Sequence, residues 1–182
     1  SNTDTEVIVH GYEEWGMNVV EKLNGQFAFA IWDDNHKELF LARDRFGIKP
    51  LYYFWDNGKF IFGSEIKSIL TSGVRREVNK NAAYNYLNLR YVPGEGTLFQ
   101  GIKKLLPGHT LRLKGQSLSI NQFWDLPLPA NAEPNKVVER VEEELTASIW
   151  ERMVADVPLG VYLSGGIDSA SIVGVMSKLK QN

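Results

Sequence analysis

Four short runs in the first third of the chain limit its fold more than any other feature. They are Gln-Phe-Ala-Phe-Ala-Ile-Trp (26–32), Glu-Leu-Phe-Leu-Ala-Arg (38–43), Leu-Tyr-Tyr-Phe-Trp (51–55) and Phe-Ile-Phe-Gly (60–63). Aromatic and branched side chains favour strands, and the runs are separated by turn formers, Asp33-Asp34-Asn35-His36 and Asp56-Asn57-Gly58-Lys59 among them. A strand with one wet face alternates apolar with polar residues. These runs carry apolar residues on both faces, so both faces must be covered, and a layered α/β/β/α sandwich does that.

The rest of this region reads in order. Residues 4–22 have helical spacing (Val7, Ile8, Tyr12, Trp15), with Asp4 or Thr5 as cap and Gly16 as breaker. Short helices are expected over 65–71 and 79–89. The second should be capped by Asn79 or Asn81 and turn Ala82, Ala83, Tyr86 and Leu87 inward. Beyond them come Thr97-Leu98-Phe99, Leu105-Leu106, a Pro107-Gly108 turn, and a hairpin of 110–113 with 117–124.

Residues 125–134 hold three prolines and no period, which marks a linker and a domain boundary. After it, Val137, Val141, Leu145, Ile149 and Met153 recur every four residues, and with Val138 and Trp150 they make one apolar helix stripe. An apolar strand is expected over 157–163. Ser164-Gly165-Gly166-Ile167-Asp168-Ser169 follows, then a helix carrying Ala170, Ile172, Val173, Val175, Met176 and Leu179. Helix, strand, glycine loop and helix form the opening of a doubly wound α/β domain.

Glycines at a strand-to-helix turn let the backbone approach a ligand, and the helix start offers N–H groups and a dipole to an anion. Ser164 and Ser169 add hydroxyls, and Asp168 can cap the helix or hold a metal. This describes a phosphate or pyrophosphate cradle. It is not a Walker loop, because no Lys follows the second glycine. The plainer alternative is a turn whose glycines serve only the turn.

Composition removes several classes of function. With 43% hydrophobic and 12% aromatic residues in 182, a packed core is well supplied. The net charge is −2, with no basic patch for nucleic acid, and no apolar run approaches the ~20 residues of a membrane span. There is no cysteine, and His10, His36 and His109 are scattered, which argues against disulfides and zinc.

The motifs, taken together, resemble a known family. Asp4-Thr5-Glu6-Val7-Ile8, then 23–29 (Leu-Asn-Gly-Gln-Phe-Ala-Phe), then 42–53 (Ala-Arg-Asp-Arg-Phe-Gly-Ile-Lys-Pro-Leu-Tyr-Tyr) resemble the glutaminase domain of class II amidotransferases. The region Tyr91-Val92-Pro93, Thr97-Leu98-Phe99, Ile102-Lys103-Lys104-Leu105 and Pro107-Gly108-His109 is similar to the join between glutaminase and synthetase in glutamine-dependent asparagine synthetases. The glycine loop stands where those enzymes have the loop of an ATP-pyrophosphatase domain.

The resemblance implies a partial N-terminal-nucleophile hydrolase sandwich (α+β, αββα) over 1–124, a linker at 125–134, and the start of an α/β ATP-pyrophosphatase domain at 135–182. It implies glutamine hydrolysis by an N-terminal Cys, ammonia transfer, and amidation of aspartate through an aspartyl-AMP, with ATP and Mg²⁺, in the cytoplasm. Asp4 matches the residue that binds the α-amino group of glutamine. Leu163, Ser164, Gly165, Gly166, Asp168 and Ser169 match the ATP loop, Asp168 being the candidate for Mg²⁺. Arg43, Asp44, Arg45 and Lys49 read as a charged turn whose ion pairs fix strand ends. The nucleophilic Cys, the carboxylate-gripping Arg and the oxyanion Asn-Gly of the family have no counterpart here. The chain is therefore expected to be an inactive internal piece of a longer enzyme, with an uncovered sheet edge that could support a homodimer. Rival readings are a relative with another acceptor, such as a β-lactam synthetase or a peptide-modifying amidotransferase, and a non-enzymatic anion-binding module.

Overall fold

The computed structural model describes residues 3–127 and 136–180. The chain divides into two compact units, Ser1–Leu126 and Pro127–Asn182.

The first unit begins with α1 (Asp4–Trp15), a 3₁₀ turn (Gly16–Asn18) and α2 (Val19–Lys22). Gly16 adopts φ 58° and breaks the helix as its sequence foretells. The cap differs from expectation. Thr3 is the N-cap, in extended geometry and without a side-chain cap bond, and Asp4 is already the first helical residue.

Among the described residues seven strands follow: β1 (Ala28–Asp33), β2 (Glu38–Arg43), β3 (Tyr52–Asp56), β4 (Lys59–Gly63), β5 (Ile102–Lys104), β6 (His109–Lys114) and β7 (Ser117–Gln122). They form two sheets, β1-β2-β6-β7 and β4-β3-β5, in which each neighbouring pair is antiparallel. Two short helices, α3 (Ile66–Thr71) and α4 (Lys80–Leu89), lie between β4 and β5 in sequence.

The layers follow from strand periodicity. On β2, Leu39 and Leu41 point one way and Phe40 and Ala42 the other. Leu41 and Leu111 meet Leu51, Tyr53 and Leu105 in a core between the two sheets. Phe40 and Ala42 meet Val19 and Val20 of α2 and Tyr12 of α1 in a second core. A third core joins Ile102, Tyr52, Phe54 and Ile61 of the smaller sheet to Ile66, Ile69 and Leu70 of α3. The order is therefore helix, sheet, sheet, helix, as the two-faced strands require. Leu41, Leu111 and Ile69 are at most 1% exposed, and burying each contributes about 2 kcal/mol.

Two further expectations for this unit need correction. Asn79 does cap α4, accepting from Ala82 N at 3.1 Å, but of the four residues expected inward only Ala82 is buried. Tyr86 and Leu87 are 48% and 81% exposed, because no described element packs on that face. Nor does the 42–50 turn rest on ion pairs. Arg43 donates to three backbone carbonyls, Lys49 at 2.8 Å, Leu105 at 2.6 Å and Gly47 at 2.7 Å. The Asp44 carboxylate, 1% exposed with the rest of its side chain, accepts from the backbone N–H groups of Phe46, Ile48 and Lys49. Arg45 donates to Glu21 O at 3.3 Å, and its Nε is buried without a partner.

The second unit contains α5 (Val137–Glu151) and α6 (Ile167–Lys180). The stripe on α5 is real but unevenly used. Ile149 is buried, whereas Val137 and Val141 stay 43% and 59% exposed. Glu142 and Lys178 approach to 3.7 Å, an exposed pair worth less than about 1 kcal/mol. Among the described residues no strand forms over 157–163. A strand exists only with a hydrogen-bonded neighbour, and here Tyr162 is 98% exposed. Most of the linker expected at 125–134 lies outside the described residues.

Candidate functional site

Asp4 sits in the first turn of α1 with Glu6, where the positive end of the helix dipole favours carboxylates. Its side chain is exposed, with Thr5 Oγ1 at 3.5 Å from its Oδ1. An exposed carboxylate at a helix start is suited to accept hydrogen bonds from an ammonium group.

What holds α1 lies further along it. Gly11 is its buried residue, and a Cβ there would stand 2.7 Å from Val19 Cγ2. A glycine in a helix interior costs about 1 kcal/mol, and here it permits the close approach of Val19. Tyr12 follows, its ring 6.0 Å from that of Phe40, and its hydroxyl donates to Asp33 Oδ2 at 3.1 Å.

Asp33 is itself firmly placed at the end of β1. Its Oδ1 accepts from the backbone N–H groups of Asn35 and His36, both at 2.9 Å, and His36 Nδ1 lies 2.8 Å from Oδ2. The His36 backbone bond, then its ring, hold the Asp33 carboxyl at about 2, so it is an ionised acceptor at neutral pH. Burial, then the bond to Asp33, push the Tyr12 phenol up to about 12, so it keeps its proton to donate. Beside this contact lies a cleft of about 720 Å³, lined among others by Val9, Tyr12, Trp32, Asp33, His36 and Arg112, but not by Asp4. Sequence reasoning read Tyr12 only as an apolar helix position and Asp33 only as a turn residue. The signal available was the Asp-x-Asn-His pattern, in which an Asp caps the N–H groups that follow it.

The glycine loop turns tightly into α6, without the strand expected before it. Gly165 has φ +84°, a conformation other residues avoid, and a Cβ added there would meet nothing within 4 Å. Ser164 Oγ and Ser169 Oγ are 3.0 Å apart, and Ser169 Oγ donates to Gly166 O at 3.0 Å. The first helical bond of α6 runs from Ala170 N to Gly166 O at 3.1 Å, so the N–H groups just before it are left for an anion. Ser164, Gly165, Gly166 and Asp168 are exposed, Ser169 partly so, and Leu163 is 62% exposed. These donors and open glycines fit a pyrophosphate. Among the described residues no three His, Cys, Asp or Glu side chains gather as a metal site. Asp168 alone can serve Mg²⁺ only in the way this ion is commonly held, by one carboxylate together with phosphate oxygens.

Asp4 and the glycine loop belong to different units. Among the described residues no helix is long and apolar enough to cross a membrane.

Comparison with known proteins agrees with both halves of the sequence. The family described as "Glutamine amidotransferase domain" matches residues 1–124, and the family described as "Asparagine synthase" matches 140–182. Asparagine synthetase [glutamine-hydrolyzing] 3 of Bacillus subtilis is 37% identical over 95% of this chain and 29% of its own length. A putative asparagine synthetase [glutamine-hydrolyzing] 2 of Methanocaldococcus jannaschii is 36% identical over 97% of this chain and 35% of its own. A Gibberella zeae protein named amidase chry2 is 36% identical over 98% and 27%. The chain thus spans about a third or less of the length of the curated relatives it matches. With a match over 1–124, and a sandwich of two antiparallel sheets between helices built on that stretch, the chain belongs to the glutamine amidotransferase domain family.

Proposed function

We propose that this chain is part of a glutamine-hydrolysing asparagine synthetase, with 1–124 the C-terminal part of its glutaminase domain, 125–134 a linker and 135–182 the start of its ATP-pyrophosphatase domain. The observation that carries this reading is the succession, in one chain, of an amidotransferase match and a synthetase match. In the whole enzyme, Asp4 accepts hydrogen bonds from the α-amino group of glutamine and so fixes which amide is presented for hydrolysis. Leu163, Ser164, Gly165, Gly166 and Ser169 hold the phosphates of ATP, with Asp168 on Mg²⁺. Donors aimed at the pyrophosphate favour its departure as the aspartate carboxylate is adenylated, and ammonia then displaces AMP. The chain contains no cysteine, and by itself it should hydrolyse no glutamine.

The experiment is an amidation assay on the full-length protein, supplying glutamine, ATP and a panel of carboxylates. Asparagine formed from aspartate supports the reading. ATP-dependent pyrophosphate release with another carboxylate alone supports a second one, in which the acceptor differs. That alternative gains weight from relatives named amidases at 36% and 35% identity. No pyrophosphate release with any carboxylate favours an anion-binding module instead.

A further inference from the structure

We infer that Tyr12 and Asp33 are positioning residues for glutamine, setting where Asp4 stands through the tilt of α1. This rests on the reading of Asp4 as the ligand of the glutamine amino group.

The argument is mechanical. The first two turns of α1 are only partly covered: Val7 and Val9 are 61% and 47% exposed, Glu6 and Ile8 are half-buried, and Gly11 is the buried residue of the helix. A cleft of about 720 Å³ lies along its Val9, Tyr12 and Glu13 side. The Tyr12 hydroxyl reaches Asp33 beside that cleft and ties the helix to the end of β1. Asp33 cannot follow the helix, since two backbone N–H groups and the His36 ring hold its carboxylate to its own turn.

Asp4 lies eight residues before Tyr12, about 12 Å along the helix axis at 1.5 Å per residue. A tilt of about 10° at the tie then moves Asp4 by about 2 Å, more than the tolerance of a charged hydrogen bond. The pivot is close at hand, where Gly11 lets Val19 approach. Removing the Tyr12–Asp33 bond frees the lever while leaving the ring of residue 12 against Phe40.

The test uses the full-length enzyme with Tyr12→Phe, Asp33→Asn and their double variant, and Asp4→Asn for reference. KM and kcat for glutamine are measured beside turnover with ammonia as nitrogen source. We expect Tyr12→Phe and Asp33→Asn each to raise KM for glutamine roughly fivefold to tenfold. The kcat for glutamine should stay within about a factor of two, and ammonia-dependent turnover should not change. The double variant should be no worse than the stronger single one, because both act on the same contact. If Asp4→Asn raises KM and the other two do not, the positioning role is overturned while the reading of Asp4 survives. If Asp4→Asn leaves KM unchanged, that reading fails and the inference fails with it. A fall in ammonia-dependent turnover in Tyr12→Phe and Asp33→Asn alike would mark a general structural role and also overturn it.

Discussion

Arg112 Nη2 donates to the Glu38 carboxylate at 2.6 Å across the β2–β6 ladder, joining residues 74 apart in the chain. Glu38 is 3% exposed, whereas Arg112 keeps much of its side chain in water. The pair faces the second core, beside Phe40, and closes the polar end of a strand that is otherwise apolar. Arg112→Ala should destabilise the protein by about 2–3 kcal/mol, below the ~3–5 kcal/mol of a stranded buried charge because Lys114 Nζ stands 3.7 Å away. Glu38→Gln should cost less, because it removes the charge together with its need. Urea midpoints for the two variants check the order.

Two glycines with the same backbone sign should respond very differently to alanine. Gly108 and Gly115 have φ +66° and +58°. A Cβ at Gly108 would stand 2.5 Å from Trp124 O, a backbone atom, while at Gly115 nothing lies within 4 Å. Gly115→Ala should cost about 1 kcal/mol, the strain of the left-handed region alone. Gly108→Ala should cost more than about 3 kcal/mol, since the β7 exit must also move. Thermal unfolding of both variants would settle it.

Acid should act through Asp33. Its folded value of about 2 lies below the ~3.9 of an unfolded Asp, so it contributes stability that is present above about pH 4 and lost as pH falls through about 2. Asp33→Asn should flatten the acid side of the stability profile in that window. His10 has the opposite sign. Its hydrogen bond to Glu13 raises its value, so its contribution is present below its unfolded pKa and is lost as pH rises through the folded one. NMR titration of the His10 ring, with and without Glu13→Gln, should show the upward displacement shrink to what Glu6, 3.7 Å from the ring, sustains.

On the proposed ATP-loop reading, Gly165→Ala should weaken pyrophosphate binding about tenfold while hardly altering stability, because the strained φ disturbs only an exposed loop. Isothermal titration with pyrophosphate and a melting curve measure the two effects separately. Equal binding by both proteins would speak against the cradle.

The sandwich was legible from sequence because its strands carry their burial pattern themselves: Phe40 and Leu41, adjacent and both apolar, can only lie between two covered faces. Features that depend on a second party were not legible. β5 has three residues and a single buried isoleucine, so its only mark is the β3 strand it pairs with. Tyr86 and Leu87 obey helical spacing and are still exposed, since spacing reports a face and not what covers it. The same holds for 157–163, apolar enough for a strand but without a ladder among the described residues. At the candidate site, the glycine loop stood out by its own residues, and Gly165 has a left-handed φ of 84°. The tie between Tyr12 and Asp33, 21 positions apart, left no trace in local spacing.

The turn that follows β2 has a consequence for how this surface can change. Its path is set by Asp44, which gathers three backbone N–H groups, and by Arg43, which gathers three backbone carbonyls. None of those bonds consults the side chains of Phe46 or Ile48, which are 66% and 53% exposed. A loop whose course is written into the two side chains of Arg43 and Asp44 can exchange an outward residue such as Ile48 without being rerouted. It is therefore a place where new surface chemistry can be tried at little risk to the fold.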